Sequence, residues 1–346
     1  MPARDSRHMD SNAVHRSPRG GRHGRDVGKR RGCFFWGLLA AVIIVVFGGR
    51  YAYAKYTNAR NAANAIFQST NVKKARDVDS TLKDGHPVSV LLMGTDTGAL
   101  GRNFKGRTDT IMVAVLNPKK KTMTVVSLPR DAKVRITGYE SEYPSKLNAA
   151  YFYGGSGTAV QTVQDYLNVP IDFYATINMG GLEHLIDSIG GLDIKPLLTF
   201  TYDGQSFVKD EETHMDGARA LAYIRMRYTD PEGDYGRQAR QRQVLTQLAF
   251  KSSHLESLIN QKFLSTISKQ MVTDLSFDDL LVLGSKYRVA THNMVTDHLA
   301  GQPDMENGES FEAPTTQEKQ RITNLLRKAL GLKHKQTGSS GEWVSD

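Results

Sequence analysis

The sequence predicts an α/β domain: a mixed central sheet flanked by helices on both faces, preceded by one N-terminal transmembrane helix. Three observations point there. A charge-free apolar run, "CFFWGLLAAVIIVVFGG" over Cys33–Gly49, follows a strongly basic tail. From about residue 86, short β-rich apolar runs alternate with helical stretches, the pattern of layered α/β domains. The strand runs are neither wholly apolar nor cleanly alternating, which suits a mixed sheet rather than an all-parallel or all-antiparallel one.

The chain has 346 residues and a net charge of +9. That balance suggests a nucleic-acid binder until it is mapped. Residues 1–32 hold nine basic residues and three acids, a local charge of +6, and the remainder is only +3. The 17 uncharged residues that follow sit at the short end of what spans a bilayer as a helix, about 17–25. Basic residues before the run and few after it place the N-terminus inside. A buried core helix would also be apolar, but would not carry this charge asymmetry. A cleavable signal peptide is the other reading, and Ala52-Tyr53-Ala54 resembles a cleavage site. The apolar run exceeds the usual ~7–15 residues of such peptides, which favours an uncleaved anchor. The expected organisation is a basic cytoplasmic tail over 1–32, an anchor over 33–54, a polar helical stalk over 55–85, an extracytoplasmic domain over 86–332 and a loose tail over 333–346. Cys33 is the single cysteine, so the outer domain has no disulfide. The expected location is the cell membrane, single-pass, with the domain outside.

Within the domain, "PVSVLLMG" and "TIMVAVLNP" read as strands. Asn117-Pro118 and three lysines form a turn into a third strand, "TMTVVSLPR". Gly157–Leu167 places Val160, Val163 and Leu167 on one helical face. "IDFYATIN" reads as a strand and "MGGLEHLIDSIGG" as a helix stopped by a glycine pair.

Four clusters carry the chemistry. "GTDTGALGRNFKGRTDT" (Gly94–Thr110) puts Asp96 after one strand, and Arg107 and Asp109 at the start of the next. Two carboxylates at adjacent strand ends need a cation between them, and oxygen ligands suit magnesium (Mg2+) with bound phosphate. A polar loop with turn-forming aspartates has the same composition. "SLPRDAKV" places Arg130 and Asp131 just after a strand, as a turn ion pair or as site residues. "KLNAAYFYGG" holds Lys146 and Asn148, with Asn148 suited to an N-cap.

The fourth cluster, "YIRMRYTDPEGDYGRQARQR" (Tyr223–Arg242), is the richest in arginine. Arg225 and Arg227 alternate with Ile224, Met226 and Tyr228, which suits an extended segment with both arginines on one face. Asp234 can cap a helix starting near Gly236. On that helix Arg237, Arg240, Gln241, Val244 and Leu248 form one face whose later residues are apolar and buried. Arginine at the head of an apolar stripe points into the protein, toward an anion pocket, and a helix N-terminus also favours anions. Arg242, about 140° round the helix from Arg237, is expected to be exposed. Nucleic acid is excluded as the anion: the arginines follow the span and face away from the cytoplasm. No helix-turn-helix, zinc-finger or RNA-binding aromatic signature appears.

Taken in order, "LLMGTD", "GRTDTIMV", "VVSLPRD", "KLNAAYFYGG", "LIDSIGGLDI", "MDGARALAYIRMR" and "GDYGRQARQRQV" resemble the LytR-CpsA-Psr (LCP) family of bacterial cell-envelope proteins, from about Val88 to Leu248. The resemblance implies an LCP-like fold and an extracytoplasmic phosphotransferase. Such an enzyme moves a glycopolymer, such as wall teichoic acid or capsular polysaccharide, from a polyprenyl-pyrophosphate carrier to peptidoglycan. It implies Asp96 and Asp109 as the carboxylates associated with Mg2+ (or Mn2+), and Arg107, Arg130, Arg225, Arg227 and Arg237 as a pyrophosphate clamp. Gln241 stands beside the clamp, with Lys146, Asn148 and Arg240 toward the substrate. Asp131 and Asp234 are both candidates to take the proton of the attacking hydroxyl. The loop between Asp96 and Arg107 has local sequence of its own. A non-catalytic binder of pyrophosphate lipids or glycans, or a membrane-bound regulator, is the alternative function.

Overall fold

The computed structural model describes residues 47, 49–70, 72–95, 106–252 and 261–338. The chain divides into two compact units, 1–53 and 54–346. In the first, residues 47 and 49–53 are helical. Among the described residues no helix is long and apolar enough to cross a membrane. The expected basic tail and nearly all of Cys33–Gly49 lie outside those residues.

In the second unit residues 54–66 are helical (α1), followed by α2 (Val78–Lys83), β1 (Val88–Thr95), β2 (Thr108–Asn117) and β3 (Thr122–Leu128). Two short strands, β4 (Lys133–Val134) and β5 (Ser145–Lys146), lead to α3 (Ala149–Leu167), β6 (Phe173–Asn178) and α4 (Met179–Ser188). Next come β7 (Leu192–Ile194), β8 (Phe200–Tyr202), β9 (Gln205–Phe207), β10 (Thr213–Met215), α5 (Gly217–Arg225) and α6 (Asp234–Ser252). The chain ends with α7 (Gln261–Gln270), β11 (Met271–Thr273), α8 (Phe277–Val282), β12 (Asn293–His298), the hairpin β13 (Gln302–Glu306) and β14 (Glu309–Ala313), and α9 (Thr316–Ala329).

The central sheet runs β11-β6-β1-β2-β3-β12. It is mixed, as expected: β1–β2, β2–β3 and β6–β11 are antiparallel, whereas β1–β6 and β3–β12 are parallel. Its alternation is clean once both faces are counted. Leu91, Met93, Ile111, Val113 and Val126 join α3 and α9 in the largest core. Their neighbours Met112, Ala114, Met123 and Val125 face the other way and meet Leu245 of α6, while Val88 and Val90 meet α2 and α8. Both faces being covered is why no strand reads as a simple apolar–polar alternation.

The segment 55–85, read from sequence as a stalk, packs on the domain in two helical parts. Ala62, Ala63 and Ile66 of α1 are buried, as are Val78 and Leu82 of α2. Between them Lys74 reaches Asp274 at 2.6 Å, and Arg76 pairs with the buried Asp172.

The corner between α5 and α6 decides where the arginine-rich stretch points. The expected extended segment is confined to its second half. α5 continues through Arg225, capped at its start by the Asp216 side chain, and the chain turns extended only at Met226. Ile224 and Met226 are buried and Arg225 and Arg227 exposed, so the alternation seen in the sequence comes from a helix end. α6 begins at Asp234, inside the stretch where Asp234 was expected as the cap.

Arg240 latches this corner. It is 1% exposed and ion-pairs with Asp230. Its Nε donates to the Tyr223 carbonyl at 2.9 Å and its Nη2 to the Met226 carbonyl, with the guanidinium over the Phe200 ring at 5.4 Å. A Cβ at Gly236 would lie 2.0 Å from the Asp230 carboxylate, so glycine is needed where α6 passes the pair. Breaking a buried ion pair from one side leaves an uncompensated charge, at a cost of about 3–5 kcal/mol. Arg240→Ala is therefore expected to lose roughly that much in urea unfolding, and Gly236→Ala to destabilise by displacing the same carboxylate. Near-native unfolding midpoints for both variants would show that the latch does not hold the corner.

Candidate functional site

The site lies where β2 begins, β3 ends and α6 starts. A register shift at Gly94/Thr95 brings Thr95 opposite Thr108. The residue before Asp109 is thus paired with the residue before Asp96. Asp96 itself, with the rest of 96–105, lies outside the described residues. A narrow pocket is walled by Asp109 and Thr110 of β2, Ser127 of β3, Arg130, and Asp234 and Gln241 of α6.

Pro129 ends β3, and Arg130 turns back across the pocket. Its Nη1 donates to Asp109 Oδ1 at 2.6 Å, and its Nε lies 3.4 Å from Asp131 Oδ2. Burial weakens the guanidinium's hold on its proton, but the bond and charge of Asp109 more than offset it, leaving the Arg130 pKa raised. The pairing of β4 with β5 sets Lys133 opposite Lys146, and Lys146 Nζ reaches to 3.5 Å from Asp131 Oδ1. Asn148 occupies the N-cap position of α3, as its residue type suggests, but its side chain makes no capping bond. Its backbone N–H donates to the Arg130 carbonyl at 3.0 Å. Its Oδ1 is buried with no hydrogen-bond partner.

On α6, Arg237 is 6% exposed and pairs with Asp234 at 2.5 Å, whose other oxygen accepts from Gln238 Nε2 at 2.9 Å. Burial lowers the Arg237 pKa; Asp234 opposes the shift, and the charges of Arg130 and Arg227 add to it. Arg130 and Arg227 are thus both within electrostatic reach of Arg237, with Asp109 and Asp234 as counter-charges. Thr110 Oγ1, Arg237 Nε, Gln238 Oε1 and Gln241 Oε1 are buried without a hydrogen-bond partner. Buried polar atoms are rarely left so, and these gather around one pocket. Of these, Arg237 Nε and the Thr110 hydroxyl can donate to an anion, whereas the Gln238 and Gln241 oxygens call for a hydroxyl or water, and the pocket as it stands is too narrow for a water molecule.

The remaining expected residues divide. Arg107 is exposed just before β2, and Arg225 and Arg227 are exposed at the end of α5 and beyond it. Arg240 was read as pocket-facing because it shares a helical stripe with Arg237 and Gln241. It faces α5 instead, with each of its three nitrogens bonded to Asp230 or a backbone carbonyl and the side chain buried away from the pocket. Arg242 was read as exposed, and that is corrected as well. It is 8% exposed, its Nη1 donates to Ser127 Oγ at 2.8 Å, and burial lowers its pKa. α6 packs against α5 on one side and β3 on the other, so it has no solvent face at this turn.

Sequence reasoning missed Glu312 and Tyr235. Glu312 of β14 accepts a hydrogen bond from the Tyr235 hydroxyl, and its backbone N–H donates to the Asp131 carbonyl at 2.9 Å. Burial pushes its carboxyl up to about 7; the Gly301 N–H opposes this, and the charges of Asp234 and Asp131 add to it. The only signal was an acid next to the buried Phe311 in a short strand.

Residues 51–328 match the LytR_cpsA_psr family. The polyisoprenyl-teichoic acid–peptidoglycan teichoic acid transferase TagU of Enterococcus faecalis is 39% identical over 307 residues, covering 88% of this chain and 99% of that protein. The crystal structure of B. subtilis TagU is similar at a TM-score of 0.58 and 31% identity, over 72% of this chain and 98% of its own. TagT bound to LIIa-WTA is similar at a TM-score of 0.61 and 26% identity, over 76% of this chain and 97% of its own. With a family match across most of its length and a relative aligned nearly end to end, the chain belongs to the LytR_cpsA_psr family.

Proposed function

We propose that this protein is a teichoic acid transferase. It moves a glycopolymer from a polyprenyl-pyrophosphate carrier to peptidoglycan, at the pocket between β2, β3 and α6. The observation that carries the reading is the pairing of Arg130 with Asp109 and of Arg237 with Asp234 beside one pocket, with Arg227 near enough for its charge to bear on Arg237. The transferase name of the E. faecalis relative supports the same chemistry.

Phosphoryl transfer is mostly positioning and electrostatic stabilisation. The acceptor hydroxyl oxygen attacks the phosphorus that stays with the polymer. The bond from that phosphorus to the bridging oxygen breaks, and polyprenyl phosphate leaves. The hydroxyl proton passes to a pocket carboxylate, Asp131 or Asp234. Arg227 and Arg237 neutralise the departing phosphate. Arg130, held by Asp109 and Asp131, fixes the other side. The unpaired Gln241 oxygen and Asn148 oxygen are placed to accept hydrogen bonds from sugar hydroxyls or bound water.

Among the described residues no group of three His, Cys, Asp or Glu side chains gathers to hold a metal, so the magnesium reading rests on Asp109 with Asp96 and the substrate. Asp109 gives one oxygen to Arg130, its side chain is 36% exposed, and the buried Thr110 hydroxyl lies on the same strand. Oxygen-only donors beside a phosphate site suit Mg2+, which is usually held by one or two carboxylates plus substrate. Asp109 and Asp96 would hold it. When bound, such an ion supplies further neutralisation of the diphosphate oxygens. The domain faces outward from the membrane, where the lipid carrier and peptidoglycan meet, on the reading of Cys33–Gly49 as an anchor.

Three outcomes check this reading. With purified protein, a polyprenyl-pyrophosphate donor and Mg2+, Arg227→Ala and Arg237→Ala should each cut release of polyprenyl phosphate by roughly 10- to 100-fold. That is the scale of a charge-assisted hydrogen bond to phosphate, about 1.5–3 kcal/mol. The exposed Arg288, before β12, serves as the control; Arg288→Ala matching the other two would make this a general charge effect. Arg→Lys should rescue only in part, because the bidentate fork is lost. In a magnesium titration, Asp96→Ala and Asp109→Ala should each need more metal or lose turnover at unchanged melting temperature. An unaltered titration curve in both removes them from metal binding. Protease added to intact protoplasts should digest the domain and spare residues 1–30, whereas protection of the domain would contradict the orientation.

A further inference from the structure

We propose that Glu312 and Tyr235 form a positioning tether that holds the two carboxylate-bearing segments of the site, around Asp131 and around Asp234, at a fixed separation. The role in catalysis rests on the phosphoryl-transfer reading above. The tether itself does not.

Asp131 and Asp234 are about a hundred positions apart in the chain, and no hydrogen bond between their side chains links them. Tyr235 immediately follows Asp234 on the first turn of α6. Its hydroxyl donates to Glu312 Oε1. From the same residue, the Glu312 backbone N–H donates to the Asp131 carbonyl at 2.9 Å, and Glu312 forms a β-bridge with Ala132. One residue of the C-terminal hairpin therefore grips one segment with its backbone and the other with its side chain.

The contact is built rather than incidental. The Gly301 N–H donates to Tyr235 Oη at 2.8 Å and lies 3.3 Å from Glu312 Oε1, so the phenol and the carboxylate share a third partner. A Cβ at Gly301 would fall 2.4 Å from Glu312 Cγ, which requires glycine at that approach. The Tyr235 ring packs on His298 at 4.6 Å between centroids. The hairpin is also braced on the Asp131 side, where Lys133 pairs with Asp304 at 2.7 Å and with Glu306. One end of the contact thus lands beside Asp131 and the other beside Asp234. Such a tether matters for a reaction that depends on positioning, where a displacement of about 1 Å costs up to a hundredfold.

The test uses the whole outer domain and four variants: Tyr235→Phe, Glu312→Ala, Glu312→Gln and the Phe/Ala double. Hydrogen exchange reads the tether without any reaction. Tyr235→Phe and Glu312→Ala should speed exchange of the first-turn amides of α6, and Glu312→Gln, which keeps an acceptor oxygen, should leave them near the unmodified rate. In turnover with a polyprenyl-pyrophosphate donor, the two single variants should each lower kcat by about tenfold with KM little changed. The double variant should be no worse than the poorer single, because both remove one bond. Unchanged exchange, changed exchange with unchanged kcat, or multiplying losses in the double variant would each overturn the tether as a positioning device. If the unmodified domain turns over no donor, the phosphotransferase reading falls instead, and the exchange result alone decides the tether.

Discussion

The pairing of Arg130 with Asp109 and of Arg237 with Asp234 is the interaction on which the rest of the site depends. Like charges in a partly buried pocket destabilise the fold unless each has a counter-charge or a ligand. Asp109 answers Arg130 and Asp234 answers Arg237, yet burial still lowers the Arg237 pKa, the Arg130 and Arg227 charges add to it, and its buried Nε is unpaired. On the transferase reading proposed above, a diphosphate oxygen gives that Nε its missing partner.

Holding those charges together takes a rigid frame, and the frame accounts for much of the remaining structure. Arg130 is fixed because β3 stops at Pro129 and the β4–β5 pair follows at once. Arg237 is fixed because α6 is pinned on both sides. Arg240 binds it to the α5 corner, and Arg242 binds it to Ser127 of β3. Two of the five arginines in this stretch are structural, and they aim a third. Arg225 and Arg227 lie exposed on the solvent side of the corner.

Much of this was legible in the sequence where local pattern decides structure. The β1–β3 meander, the helix over Gly157–Leu167 and the glycine stop after α4 follow from apolar runs and turn residues alone. The burial of Arg237 was legible because an arginine that heads an apolar stripe is carried inward with it. The errors came from treating α6 as a helix with one buried face. Helical periodicity gives the angle between Arg237, Arg240 and Arg242 but not what surrounds them, and α6 has neighbours on opposite sides. The residues around Arg225 show a second limit, since a helix end and a strand both bury alternate positions over four residues. Glu312 was illegible for a third reason: it reaches the site through a hairpin contributed from far along the chain, and no local pattern marks it.

The central claim is that the pocket between β2, β3 and α6 is where a lipid-linked diphosphate is held for transfer. A crystal structure of residues 54–346 with a polyprenyl pyrophosphate tests it most directly. The account predicts diphosphate oxygens within hydrogen-bond distance of Arg227 and Arg237, with Arg130 still paired to Asp109. A diphosphate seated on another surface, with these arginines unmoved and untouched, would contradict it.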